Sequence, residues 1–460
     1  MIQPANARPQ SVLGRPPSRW IAFVLLSVCL FFFSQQDVFY RADGQTDFDP
    51  SQDQHASRVI AGDHGRQLAL LALGVYGACA LFRSGGTGLA MQVPVGLIGL
   101  AFLVWELLSI SWAGDPALAA KRVASHLVLV LAAVGATRRL TLRDVVSWAW
   151  LCSAMFWGIG LLCEVVWGAF RPFDGVYRFA GTAHPNTQGV NCSLLMLAGF
   201  FLWRTERRRL YLVSAVLGAV FLYLTGSRAS FCGALGVLAV YLVTSLKPFQ
   251  RVVLALGLVC LAAAVIAVAP DQVVSAVSRP PTLGRDEATS LSTLEGRVEL
   301  WEECWDYVKA QPLWGYGFNA FWTPQRIAAV SDSQQWGVAE AHCAYLDVAL
   351  GIGVVGLVLF VLLGALAIGR LLALHARSGE EVYRFSALLL VYAALFSFME
   401  SDTIQFSASQ FSFACLLLVA HAGAVPFRPQ GHASRAAANA LPPRRGTLPM
   451  PTAGPAWPVP

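Results

Sequence analysis

The chain has 460 residues, of which 56% are hydrophobic and only 13% charged, with a mean hydropathy of +0.56. Soluble domains carry about a quarter charged residues, so this composition excludes a water-soluble globular protein and points to apolar side chains that face lipid. The basic residues outnumber the acidic ones, 33 to 27, and they gather in short loops between apolar runs, a pattern of membrane orientation and not of nucleic-acid binding.

Apolar runs near the ~20 residues that cross a hydrocarbon core predict spans at about 20–34, 67–82, 92–112, 123–137, 145–168, 187–203, 210–225, 228–246, 252–269, 343–369, 383–399 and 406–424. The first follows Arg8, Arg15 and Arg19 and leads into Ser34-Gln35-Gln36-Asp37 with no A-x-A-like cleavage site, so it reads as an uncleaved span. Arg83, Arg138, Arg139, Arg143, Arg204, Arg207 to Arg209, Lys247, Arg251, Arg370, Arg377 and Arg384 fall in alternate loops, which marks that side as cytoplasmic. The opposite loop at 37–66 carries six aspartates, Asp37, Asp43, Asp47, Asp49, Asp53 and Asp63.

The expected organisation is therefore a cytoplasmic N-terminus at 1–19, nine spans within 20–269, a large periplasmic loop containing helices at 270–341, three spans within 342–424, and a cytoplasmic tail at 425–460. The tail is too rich in proline and polar residues to pack a core. The expected fold class is an all-α polytopic membrane protein with about 12 transmembrane helices, both termini cytoplasmic, in a bacterial-type inner membrane. Most of the ten cysteines lie inside apolar runs, and no CxxC pair reads as a metal site. Cys304 and Cys343 fall in or beside the large loop, where a disulfide between them is open. No internal repeat and no matched pair of broken spans points to a transporter.

Four polar groups fall on the side away from the basic loops. The first is Arg171 with the segment Arg178-Phe179-Ala180-Gly181-Thr182-Ala183-His184-Pro185-Asn186. Pro185 suits the first turn of a helix, and a plain turn into that helix accounts for the segment as well as a binding loop does. The second is Thr225-Gly226-Ser227-Arg228, in an apolar stretch just long enough for two spans and a tight turn. Ser227 suits an N-cap, and the amides after it, with Arg228, suit an anion; a snorkelling arginine at a span end is the alternative.

The third group is a helix expected from about Leu294, with Ser292-x-x-Glu295 as a capping-box pattern and Pro312 at its end. Leu294, Val298, Trp301, Trp305 and Val308 predict its apolar face, and Glu295, Glu299, Glu302, Glu303 and Asp306 an acidic stripe. Arg297 has no carboxylate at i±3 or i±4, so it invites either an outside anion or a salt bridge to another loop. Pro312-Leu313-Trp314-Gly315-Tyr316-Gly317-Phe318 then offers aromatic rings to a sugar, or to the bilayer interface. The fourth group is Glu340-Ala341-His342-Cys343-Ala344-Tyr345-Leu346, where His342 and Tyr345 are expected on one helix face. A histidine there suits a general base, and equally a simple interfacial residue.

In this order and spacing, Gly181-x-x-His184-Pro185-Asn186, Gly226-Ser227-Arg228, Gly296-Arg297-x-x-x-Trp301 through Pro312-x-x-Gly315-Tyr316-Gly317, and His342-x-x-Tyr345-Leu346 resemble the O-antigen ligase and polymerase superfamily over roughly residues 90–420. One departure is Cys343, where the family more often has asparagine. The resemblance implies a GT-C-like, metal-independent, inverting glycosyltransferase that uses no cofactor. Its donor would be an undecaprenyl-diphosphate-linked oligosaccharide, and its acceptor a second glycan or the lipid A core. It assigns His342 to proton removal and Arg228 and Arg297 to the diphosphate. Arg178, His184, Asn186, Trp314, Tyr316 and Tyr345 become candidate substrate contacts. The His-Pro-Asn segment leans toward the exopolysaccharide-polymerase branch, with ligation to lipid A core as the alternative. A lipid-linked sugar flippase is the reading from another class, and the clustering of polar residues on one side favours an enzyme over it.

Overall fold

A computed structural model of the chain describes residues 17–34, 39–40, 46–47, 64–82, 88–174, 177–247, 249–251, 253–256, 297–401 and 410–427. The helices are α1 (Pro17–Phe33), α2 (His64–Phe82), α3 (Val93–Ser109), α4 (Pro116–Thr137), α5 (Leu142–Val166), α6 (Pro185–Glu206), α7 (Arg209–Leu224), α8 (Arg228–Ser245), α9 (Arg297–Ala310), α10 (Pro324–Gln334), α11 (Ala344–Ser378), α12 (Glu381–Phe396) and α13 (Gln410–Gly423). Among the described residues, α2, α4, α5, α8 and α11 are long and apolar enough to cross a membrane, and Arg19–Phe33, α3, α7 and α13 are shorter apolar helices. The protein is a helical, multi-pass membrane protein. The span expected at 252–269, the helix start at Ser292–Glu295 and the loop up to residue 296 lie almost wholly outside the described residues.

Local signals explain several of these helix starts. Asp115 caps α4 by accepting the Leu118 amide at 2.9 Å, with Pro116 in the first turn. Thr141 and Asp144 open α5 with a reciprocal capping box. Close helix crossings rest on small residues, as is usual in membranes. A Cβ on Gly135 of α4 would lie 2.5 Å from the Gly77 carbonyl oxygen of α2. Helix α6 is buried along most of its length and packs against α5, α7 and α8.

Two short antiparallel ladders accompany the helices. The pair β1 (Phe39–Tyr40) and β2 (Thr46–Asp47) forms one. The other joins β3 (Gly88–Met91) to β4 (Ala424–Phe427), so the segment entering α3 lies beside the segment leaving α13. The stretch expected to start an unpacked tail thus begins as a strand. Backbone pairing, to which composition is blind, holds it there.

Helix α11 is broken. Ile352 (φ −128°, ψ 19°) and Gly353 (φ 69°, ψ −174°) leave helical geometry, although hydropathy predicts one continuous span. The segment 312–318 fills the break: the Tyr316 amide donates to the Leu350 carbonyl (2.8 Å), Gly317 to Gly351 (2.7 Å), and Val354 to Pro312 (2.8 Å). Trp105 Nε1 donates to the Ile352 carbonyl at 2.9 Å. Interrupted helices are tolerated at membrane depth where neighbours satisfy the freed groups in this way. A Cβ at Gly353 would sit 2.1 Å from the Leu313 oxygen, so glycine is required there.

The helices α9 and α10 cover a second core of Leu300, Cys304, Val308, Phe321, Ile327, Val330 and Val338. The buried stripe of α9 is therefore Leu300–Cys304–Val308, rotated from the face expected from Val298, Trp301 and Trp305. Trp305 is 49% exposed. The reason is tertiary: the small residue Cys304 packs into a core shared with α10 and the start of α11, and the larger tryptophan is left at the rim. Cys304 and Cys343 are both free thiols.

Candidate functional site

The site assembles at one end of the bundle, where the loop before α6, the α7–α8 turn, the start of α9, the loop before α11 and the segment after α12 meet. Glu164, buried in α5, shapes the first of these: its Oε1 accepts the amides of Ala180 (2.8 Å) and Gly181 (2.7 Å), and its Oε2 accepts the Tyr177 hydroxyl. His184 then N-caps α6, its Nδ1 accepting the Asn186 amide at 3.2 Å. Burial is the main reason His184 is held down at about 4, with Arg178 and His342 adding to the effect and Glu400 opposing it.

Arg178 is gripped by the α7–α8 turn. Its Nε donates to the Thr225 carbonyl at 2.9 Å, and its Nη2 to Asn186 Oδ1 at 2.8 Å. Gly226 (φ +61°) permits the approach, since a Cβ there would lie 3.2 Å from Arg178 Nε. Ser227 is the N-cap residue of α8 by position, yet its hydroxyl donates to Ser230 Oγ (2.9 Å) and no side-chain capping bond forms. Arg228 opens α8 next to this turn, half-buried.

Glu400, just after α12, is the hub. Its Oε1 accepts from Asn186 Nδ2 at 2.8 Å and from Arg297 Nη2 at 3.0 Å. Arg297 also donates to the Met399 carbonyl through Nη1. Of the two partners the sequence left open for Arg297, the structure provides the tertiary salt bridge. His342 precedes α11 in left-handed backbone (φ +49°), so it does not share a helix face with Tyr345. Its Nδ1 lies 3.0 Å from Glu340 Oε1 and 3.5 Å from Glu400 Oε2, both contacts of charge and neither aligned as a hydrogen bond. Trp336 stacks on the imidazole at 5.7 Å.

These charges set the protonation of the cluster. Burial alone would lower the His342 pKa, but Glu340, followed by Glu400, outweighs it and raises the group to about 10. Burial alone would raise Glu400, but His342 and Arg297 bring it down to about 2. The cluster is thus an imidazolium and a guanidinium held against a carboxylate. Glu340, His342 and Glu400 also offer donor atoms within 4.8 Å of one another, a set able to take a metal ion. Arg297 and Asn186 already engage Glu400.

Asn186, Arg297 and His342 therefore converge on Glu400, Arg178 joins them through Asn186 Oδ1, and His184 lies within their electrostatic reach. Trp314 and Tyr316 are used elsewhere. Trp314 stacks on Trp105 at 5.1 Å, and Tyr316 lies under the Arg326 guanidinium at 4.1 Å from its ring centroid. Both belong to the segment that supports the broken helix. Tyr345 donates its hydroxyl to the Ala394 carbonyl at 2.8 Å. With Ser397 it lines an apolar cavity of about 560 Å³ that runs along α3 from Val95 to Leu103. Glu400 was missed in the sequence. Its signal was indirect: an arginine with no local acid, and an acid ending a predicted span on the same side.

Charged side chains gathered at one end of a membrane-embedded helical bundle mark a candidate functional site. Residues 213–361, which carry Arg228, Arg297 and His342, match the family described as O-antigen ligase. The exopolysaccharide production protein ExoQ of Rhizobium meliloti (strain 1021) is 27% identical over 334 residues, covering 66% of this chain and 72% of that protein. Over these stretches the chain is similar to the O-antigen ligase family and to an exopolysaccharide production protein.

Proposed function

We propose that the protein is a metal-independent, inverting glycosyltransferase of the inner membrane that polymerises a surface polysaccharide. It moves a glycan from undecaprenyl diphosphate to a sugar hydroxyl of a second lipid-linked glycan. The observation that carries this reading is the convergence of Arg297 and His342 on the single carboxylate of Glu400, with Arg178 linked to it through Asn186. A diphosphate has the charge and the fork-matching oxygens to replace that carboxylate on Arg297. Arg228 joins it from the first turn of α8, where the amides of a helix start favour an anion. The apolar cavity beside Tyr345 suits the isoprenoid chain of the donor.

In the reaction, the acceptor oxygen attacks the anomeric carbon from the face opposite the diphosphate. The bond from that carbon to the diphosphate oxygen breaks, and the diphosphate leaves on its lipid, with Arg297 and Arg228 stabilising the charge. The acceptor proton passes to His342. Because Glu340 and Glu400 keep His342 protonated up to about pH 10, the neutral imidazole is a minor but strongly basic form at neutral pH. Arg178, His184 and Asn186 line the donor side. The guanidinium groups supply the positive charge that a metal would otherwise bring. In this reading about twelve helices span the bilayer, both termini are cytoplasmic, and the site with its loop of 270–341 faces the periplasm; the alternation of arginine-rich loops supports it.

The family description favours a second reading, ligation of finished glycan to lipid A core. Surface polysaccharide from a deletion strain carrying wild type or His342→Ala, at matched membrane expression, separates the readings. Accumulated single repeats identify a polymerase. Lipid-linked polymer left stranded identifies a ligase, and normal product from the variant returns the flippase.

A further inference from the structure

Asp347 lies in the first turn of α11 and is 5% exposed. Its Oδ1 accepts from the Trp322 indole at 2.7 Å, and its two oxygens share the Ala341 amide at 3.3 and 3.2 Å. Oδ2 also accepts the Ser401 hydroxyl. Ala341 is the residue before His342, and Ser401 is the residue after Glu400. One buried carboxylate therefore holds both backbone segments that carry the charged pair of the site. The segments are bound a second time, since the Ala344 amide donates to the Ser397 carbonyl at 2.8 Å. Trp301 Nε1 fixes the Ala341 carbonyl at 2.8 Å from the other side. His342 is thus pinned on both flanks, at Ala341 and at Ala344, in a left-handed conformation that an L residue rarely adopts.

We infer that Asp347 is a positioning residue, which sets the distance between the His342 imidazole and the Glu400 carboxylate without touching the substrate. This rests on the glycosyltransferase reading above. A charged acceptor shared by three neutral donors holds them more tightly than a neutral one does. Asparagine keeps one acceptor atom and turns the other into a donor that faces the Ala341 amide and the Ser401 hydroxyl. Ser401 is able to reverse its hydroxyl; the Ala341 amide is not.

The test uses full-length protein in membranes, with the lipid-linked repeat extracted from the deletion strain as donor. Asp347→Asn should express and insert normally, keep its donor KM within about twofold, and lose about 10- to 100-fold in kcat, the range seen when the groups that orient reactive residues are removed. Its pH–rate profile should shift to lower pH, because Glu400, the second of the two carboxylates that raise His342, is no longer held close while Glu340 remains. Ser401→Ala, which cuts only the link to the Glu400 segment, should show a smaller loss with the same direction of shift. A wild-type kcat and pH profile for Asp347→Asn overturns the inference. If that variant fails to insert, Ser401→Ala decides: an unshifted profile overturns it. Full activity of His342→Ala instead brings down the glycosyltransferase reading itself.

Discussion

The two loops that deliver the site are held by buried carboxylates in contrasting ways. Glu164 binds groups 13 to 17 residues away, the Tyr177 hydroxyl and two consecutive amides, all within its own connecting loop. Asp347 reaches Trp322, 25 residues back, and Ser401, 54 residues ahead, as well as nearby Ala341. The first is a local device that gives one loop its shape. The second is a long-range tie that fixes one part of the site relative to another. Losing the first should disturb a fold element, and losing the second should disturb a distance.

The sharpest way to separate the cluster from its supports is His342→Ala, which should reduce turnover by roughly 10²–10⁴-fold, as expected for an acid–base group, measured by glycan transfer in membranes. Arg297→Lys should cost nearly as much, because an ammonium loses the fork geometry, while expression is retained. Normal rates for both Arg297→Lys and Arg228→Lys would remove the diphosphate role from these arginines. Glu400→Ala, which leaves Arg297 and His342 without their shared carboxylate, should destabilise the protein by about 3–5 kcal/mol, read as thermal unfolding in detergent. Glu164→Gln keeps the shape of the side chain but weakens its acceptance of two amides. It should cost about 1–3 kcal/mol and leave the pH–rate profile in place, unlike Asp347→Asn.

Solution conditions test the same cluster without a substitution. Since the neutral imidazole is the reactive form, kcat should climb with pH toward about 10. A flat profile from pH 6 to 9 would instead make His342 a proton donor to the departing diphosphate. Stability runs the other way. The raised His342 contributes in full below its ordinary value near 6.5 and is lost as pH rises through about 10. The depressed Glu400 contributes in full above about 4.5 and is lost as pH falls through about 2. Chelators should leave transfer unchanged; a loss reversed by added divalent cation would place a metal on Glu340, His342 and Glu400.

Much of this was legible in the sequence. Apolar run length located most of the helices to within a few residues; Arg178 and Asn186 stood out in a polar loop, Arg297 as an arginine without a local acid, and His342 at the start of a span. What stayed hidden depends on tertiary contact. Glu400 has no local pattern that marks it as a hub, because its partners lie up to 214 residues away. The turn of α9 onto Leu300 and Cys304 depends on what α10 and α11 present. The break in α11 is invisible to hydropathy, since glycine leaves an apolar run apolar.

That break has a mechanical consequence. Residues 344–351 of α11 are bonded to the 312–318 segment and to Ala341 through Asp347, whereas the helix beyond Gly353 runs on as a separate lever of about 25 residues. A long rod anchored in a bilayer tilts as the bilayer thickens or thins. The break at Ile352 and Gly353 means that the short piece that carries the site does not share the axis of that rod.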